Sequence, residues 1–330
     1  MNGSQPGYWV ENGVLWHASD SSGDFHSKGK VAGADLATLQ ILNRTWAKDA
    51  TRVWANGQPV RKAFAPAFEA LNASFGRDNE CVFDSLGRTV KDINAAAFEV
   101  LDDGLLHDDR RNPKEAGYAR CEGKIYHYDW SNHKTMLLRG ADAATFEVLK
   151  WGFARDKNKV FWGINVAKAN PRTFRHITCR FGEDGQHVFY YNRIVPEADP
   201  ATFEFIGDQF WAKDRARVFC HDKVVPGAEP ATAQVVGSFL KDANHVFFFP
   251  AGYKLLEGVD PATFEVFRSS YYRDKDRIYC HGSPEGFVEG ADLLTFEELA
   301  PRHPSRGDAW DKDWIYRGKE RWRPRSEFQD

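Results

Sequence analysis

Phe153-Ala154-Arg155-Asp156-Lys157-Asn158-Lys159-Val160-Phe161-Trp162 sets the reading of the whole chain. An aromatic residue stands three positions before an aspartate, and a β-branched residue followed by an aromatic begins four positions after it. The arrangement recurs on Asp184 (Phe181, Val188-Phe189), Asp214 (Trp211, Val218-Phe219), Asp242 (Phe239, Val246-Phe247) and Asp274 (Tyr271, Ile278-Tyr279). Upstream it fits Asp49 (Trp46, Val53-Trp54) and Asp78 (Phe75, Val82-Phe83). Seven matches at one spacing identify an internal repeat of about 28 residues.

The Val-aromatic pairs have the composition of short strands, and turn formers follow them at Gly163, Asn192, Asp222, Gly252 and Gly282, so a β-hairpin is expected. Next comes Asp-Pro-Ala-Thr-Phe-Glu, at Asp199 to Glu204 and Asp260 to Glu265, with variants beginning at Asp142, Asn170, Glu229 and Asp292. An acidic or amide N-cap, a proline at the first helical position and an apolar residue on the inward face predict a helix of two to three turns. The expected fold class is an α+β repeat array, about ten β-hairpin plus short-helix units stacked as a solenoid-like, curved scaffold.

Spacing separates a rigid part of the unit from a tolerant one. From cap to next aligned aspartate (Asn170 to Asp184, Asp199 to Asp214, Glu229 to Asp242, Asp260 to Asp274) the separations are 14, 15, 13 and 14 residues. From aspartate to following cap (Asp156 to Asn170, Asp184 to Asp199, Asp242 to Asp260, Asp274 to Asp292) they are 14, 15, 18 and 18, which places length variation in the hairpin loops. Such loops are where repeat proteins present binding surfaces.

A carboxylate in every repeat, usually after Lys or Arg (Lys48, Arg77, Arg155, Lys213, Lys241, Arg273), invites a catalytic or calcium-binding reading. A calcium loop needs several oxygen ligands within a dozen residues, and here one aspartate recurs without fixed companions. An Asx-type turn, with the carboxylate accepting backbone N–H groups where the strand begins, is the expected role. The aromatics, 14% of the chain, are expected to form core between thin units that cannot close a core alone.

Net charge is −3 with Lys and Arg scattered, so neither a nucleic acid nor a membrane is expected as partner. The start Met1-Asn2-Gly3-Ser4 lacks the basic and apolar regions of a secretory signal, which makes the cytoplasm the expected location. Five cysteines (Cys81, Cys121, Cys179, Cys220, Cys280) without a CxxC pair read as reduced thiols. The Cys220-His221 and Cys280-His281 pairs, in repeats two apart, read as strand ends. No nucleophile elbow, P-loop, dinucleotide fingerprint or HExxH motif is present.

The copy Asp156-Lys157-Asn158-Lys159-Val160-Phe161-Trp162 resembles the signature of the bacterial DKNYY repeat family, in which Asp-Lys-Asn precedes a strand ending in paired aromatics. The resemblance spans about Trp46 to Tyr316. Most copies depart at the Lys-Asn pair, as in Asp184-Gly185-Gln186 and Asp214-Arg215-Ala216. The resemblance implies an interaction protein and supplies no catalytic residues.

One unit is irregular. Asp108 falls 14 residues after the Asn94 cap, but its strand, Lys124-Ile125-Tyr126, comes about 13 residues late, so Asp109 to about Cys121 reads as an insertion. Its loop is long too: Ile125 to Asp142 is 17 residues, against 10 for Val160 to Asn170. Within it Tyr126, His127, Tyr128, Asp129, Trp130, Asn132 and His133 have the aromatic and polar density of an interface hot spot and are the candidate binding residues. A patch covering a bend is the bland reading of the same segment. His127, Asp129 and His133 match no common metal spacing, and neither metal nor cofactor is expected.

The ends read as caps, giving a division into residues 1–45 (capping repeat), 46–106 (two repeats), 107–152 (irregular repeat), 153–300 (five repeats) and 301–330 (capping half-repeat). The expected function is a non-catalytic scaffold that binds another protein, with neutralisation of a cognate toxin or effector by an immunity protein as the specific version. The alternative is a carbohydrate or cell-envelope binding module using exposed aromatics such as Trp130, Trp162 and Trp211. The oligomeric state is left open.

Overall fold

The computed structural model describes residues 7–19, 27–107, 114–178, 180–207, 210–249, 253–267, 271–280, 286–303 and 307–327. The repeat around Asp156 folds as four antiparallel strands in chain order, Glu147–Val148, Phe153–Arg155, Val160–Trp162 and Asn165–Ala167. In the central hairpin Phe153 pairs with Trp162, Ala154 with Phe161 and Arg155 with Val160.

The aspartate makes the turn between the central strands. Asp156 Oδ1 accepts the N–H groups of Asn158 and Lys159, both at 2.7 Å, as expected of an Asx-type turn. Its other oxygen, Oδ2, accepts the N–H of Asp142 at 2.8 Å. The same three acceptor bonds recur on Asp184 (from Gln186, His187 and Asn170), Asp214 (from Ala216, Arg217 and Asp199) and Asp242 (from Asn244, His245 and Glu229). They recur again on Asp49, Asp78, Asp274 and Asp311. All eight residues are only 3 to 7% exposed, and these N–H groups are what lets a carboxylate sit there.

The helical half of the expectation is wrong. After the Asp142 cap the chain makes one turn, closed by the Thr145 N–H on the Asp142 carbonyl at 3.2 Å, and is already extended at Glu147. Among the described residues the helical pieces are three single 3-10 turns, Ala65–Ala67, Ala95–Ala97 and Arg325–Glu327, and there is no α-helix. Helix initiation is costly and repaid only by propagation. Here the segment is consumed at once. Thr145 Oγ1 donates to Asp142 Oδ1 at 3.0 Å and accepts the Lys157 N–H at 3.1 Å, while Glu147 and Val148 are drawn into pairing with Arg155 and Ala154. The signals read as a helix start belong to a single pinned turn.

The fold is therefore almost entirely β, with eleven small, separate antiparallel sheets among the described residues, none closed and none running on as a solenoid. The α+β, solenoid-like array is corrected to a succession of small meanders. Among the described residues no helix is long and apolar enough to cross a membrane.

The chain divides into two compact units, Met1–Ile194 and Val195–Asp330. In the first, Phe153, Val160 and Ala167 of one repeat cluster with Phe174 and Phe189 of the next. The Phe174 ring lies 5.3 Å from that of Phe153 and 6.1 Å from that of Phe189, so the Phe of this turn is the wedge between neighbours. In the second, Trp211, Val218 and Cys220 cluster with Ala233, Leu240 and Phe247 in the same way. Each buried ring contributes about 1.5–3 kcal/mol. Cys81, Cys121, Cys220 and Cys280 are free thiols. Cys220 and Cys280 end their strands as expected; Cys179 and His281 lie outside the described residues.

The basic residue before the aspartate ties repeat to repeat. Lys48 donates to the Phe68 carbonyl at 2.7 Å, Arg77 to Ala95 at 3.0 Å and Arg155 to Pro171 at 3.2 Å. In the second unit Lys213 reaches Pro230, Lys241 reaches Pro261 and Arg273 reaches Leu293. Each acceptor belongs to the turn of the following repeat. Glu183 breaks the rule and pairs with Arg175, reversing the Glu147–Arg155 ion pair of the repeat before it.

Candidate functional site

The irregular repeat is a complete sheet, built on Glu99–Val100, Gly117–Cys121, Lys124–Asp129 and Lys134–Leu137. Asp108 lies outside the described residues. Part of the expected insertion, Lys114–Glu115, pairs with Leu105–Leu106 as a separate ribbon.

Its central hairpin duplicates the first hairpin of the chain. Gly7-Tyr8 and Gly117-Tyr118 open the two, Asn12-Gly13 and Glu122-Gly123 turn them through positive φ, and Tyr8 pairs with His17 as Tyr118 pairs with His127. The rings meet at 4.5 Å in the first and 4.6 Å in the second. Each tyrosine hydroxyl then enters the next repeat: Tyr8 to the Thr45 carbonyl at 3.3 Å, Tyr118 to the Gly152 carbonyl at 2.8 Å.

The copies part company in what surrounds them. Strand register equates Lys48 and Val53 with Arg155 and Val160, so Arg44 and Ala55 stand where the second copy has Trp151 and Trp162. Around the first lies a hollow of about 170 Å³ lined by Arg44, whose guanidinium is 3.7 Å from the Glu115 carboxylate. Around the second opens a cleft of about 550 Å³, walled by Trp130, Trp151 and Trp162 with Leu105, Leu106 and Ile164. Trp151 has φ +57°, a left-handed conformation that costs a bulky residue about 1–3 kcal/mol and is typical of functional positions. Its edge meets His176 at 5.0 Å, and Trp162 is backed by Tyr191 at 4.2 Å.

Polar groups line the same cleft. Burial lowers His127 to about 4, which the nearby Asp129 charge opposes without reversing, so this imidazole is neutral at pH 7. Burial raises Asp102 to about 6, although its oxygens accept the N–H groups of Tyr118 at 2.8 Å and Gly104 at 2.9 Å. His127 Nδ1 and Trp162 Nε1 are both buried without a hydrogen-bond partner among the described residues. Asp129 accepts the Ser131 N–H and hydroxyl and the Asn132 amide, which fixes the loop carrying Trp130.

The expected binding residues divide between two sides of one strand, as its period of two requires. His127 and Asp129, with Trp130 after them, face the cleft. Tyr126 and Tyr128 face the other way, toward Phe75 and Cys121, and Tyr128 is buried. Asn132 serves the Asp129 turn, and the His133 carbonyl accepts the Arg88 guanidinium. No group of three or more His, Cys, Asp or Glu side chains that could hold a metal occurs among the described residues. Sequence reasoning missed Asp102 and Trp151 as site residues and named Trp162 only under the carbohydrate alternative. The signal was the Gly-Tyr, Gly and His spacing shared by residues 7–17 and 117–127, which marks the two hairpins as copies; aligning Asp49 with Asp156 in the repeats that follow them then shows Trp151 and Trp162 as the replacements of Arg44 and Ala55.

A family model described as the DKNYY family matches the chain twice, over residues 46–193 and 188–319. No curated protein and no solved structure matches it.

Proposed function

The chain belongs to the DKNYY family, and from that premise we propose that it is a non-catalytic, cytoplasmic binding protein that grips a partner protein in the cleft of Trp130, Trp151 and Trp162. The observation carrying this reading is the replacement of Arg44 and Ala55 of the first hairpin copy by two tryptophans in the second, where the wider cleft opens. Two copies on one backbone pattern do not need different linings for folding. Tryptophan is the residue most enriched at the energetic centre of interfaces, and the cleft's volume suits a side chain or short segment. The binding rather than catalytic reading draws on Asp102 and Asp129, whose oxygens hold backbone and side-chain donors of their own loops.

Neutralisation of a cognate toxin is the specific version of this proposal. Co-expression with the product of the adjacent gene, read by co-purification and growth rescue, tests it with the wild-type chain and with Trp130→Ala and Trp162→Ala. Capture by the wild type and its loss in both folded variants is expected. Equal capture by all three would move the binding surface away from the cleft. The carbohydrate alternative keeps Trp130, 39% exposed, but loses Trp211, which is wholly buried; saturable oligosaccharide binding lost in Trp130→Ala would revive it.

A further inference from the structure

We infer that the cleft receives a basic side chain, an arginine or lysine presented by the partner; this rests on the binding reading above and adds the chemistry of the occupant. Three carboxylates, Asp102, Asp103 and Asp129, line a wall that also carries three indoles, and among the described lining residues the only lysine or arginine is Lys150. Asp103 is paired with His107, at 2.5 Å. Asp102 and Asp129 have no ion pair among the described residues and are held by neutral donors alone. An acidic ligand would meet these charges head-on. A neutral ligand would desolvate the half-buried Asp102 further without compensation. A cation compensates it and gains from the indole faces as well, while the alkyl stem of Arg or Lys lies against Leu105 and Leu106. The duplicate hairpin shows the preference internally: where the second copy has Trp151, the first places its own guanidinium, Arg44, in the corresponding hollow, beside the Glu115 carboxylate. In the second copy that cation has been removed and the space enlarged.

The test is titration of the full chain with Nα-acetyl-arginine amide and Nα-acetyl-lysine amide, against the neutral Nα-acetyl-citrulline amide and Nα-acetyl-norleucine amide, read by tryptophan fluorescence. The cations should give a saturable change at least about tenfold tighter than their neutral counterparts, weakened by added salt. Trp162→Ala and Asp129→Asn should each weaken it by at least about fivefold in chains that still unfold in one cooperative urea transition. The exposed Trp130→Ala serves if either fails to fold. Neutral and cationic probes binding equally would overturn this inference and leave the binding reading standing. No saturable change with any of the four would also overturn it; if Trp130→Ala and Trp162→Ala then leave partner capture intact, the placement of partner binding in the cleft falls too.

Discussion

Asp156 Oδ2 accepts the backbone N–H of Asp142 at 2.8 Å, 14 residues back along the chain. That bond explains why the stretch from cap to aspartate keeps its length while the hairpins vary. It also explains why the cap position tolerates Asp, Asn, Glu and even Phe64, whose N–H reaches Asp78 at 2.9 Å: what the repeat needs there is a main-chain donor. Only the last pair stretches it, with Asp292 and Asp311 separated by 19 residues because the longer, irregularly paired strand Glu297–His303 intervenes.

Asp156→Ala should therefore be costly and Asp142→Ala mild. The first leaves the N–H groups of Asn158, Lys159 and Asp142 without the buried carboxylate that accepts all three, a loss of about 3 kcal/mol. The second keeps the main-chain donor. Urea unfolding of the two variants checks this, and similar midpoints would sink the account.

Which parts of this were legible follows from where each signal resides. The aspartate turn was readable because one side chain determines it locally. Strands such as Val160–Trp162 were readable because their composition is specific. The helix was misread because Asp-Pro-Ala-Thr-Phe encodes only how a turn begins. Its end is decided by Lys157, a dozen residues away, whose N–H donates to the Thr145 hydroxyl oxygen. Likewise His127 and Trp130 were readable from local density, whereas Trp151 and Trp162 join them through pairing and the Tyr118 hydroxyl, which no local window contains.

Arg155→Met should cost about 1 kcal/mol by removing the bond to the Pro171 carbonyl in the next repeat, and Arg155→Lys should cost much less. Lys48, Lys213 and Lys241 make the same reach elsewhere. Thermal or urea denaturation of both variants decides it; equal losses would show that a lysine does not replace the guanidinium in the reach to Pro171.

Acid should unfold the protein through its repeated aspartates. Burial pushes the carboxyls of Asp49, Asp184 and Asp311 up, but the hydrogen bonds they accept outweigh it and hold all three below the usual range. A depressed folded-state pKa means stability that is complete above the ordinary value of about 4 and lost as pH falls through the lower folded values. The urea midpoint should drop steeply below about pH 4. A midpoint that persists at about pH 2 would refute this.

The cleft should show the opposite sign. Burial raises Asp102 to about 6, so its ionisation works against the empty folded state: this contribution to stability is full below the ordinary carboxyl value of about 4 and is lost as pH rises through about 6. A bound cation favours the carboxylate, so its binding expels a proton near pH 5 and not near pH 8. Affinity for Nα-acetyl-arginine amide should accordingly strengthen between pH 5 and 7 and then level off. His127, lowered to about 4 by burial, is neutral across that window and cannot supply the effect. The other charges on the wall, Asp129, Lys150 and the Asp103–His107 pair, are left untouched by Asp102→Asn, which should flatten the profile while the folded state persists. Titrations at the two ends of the range in wild type and variant check this. A wild-type profile that is already flat, or a variant that keeps the slope, would show that Asp102 is not the carboxylate the cation meets.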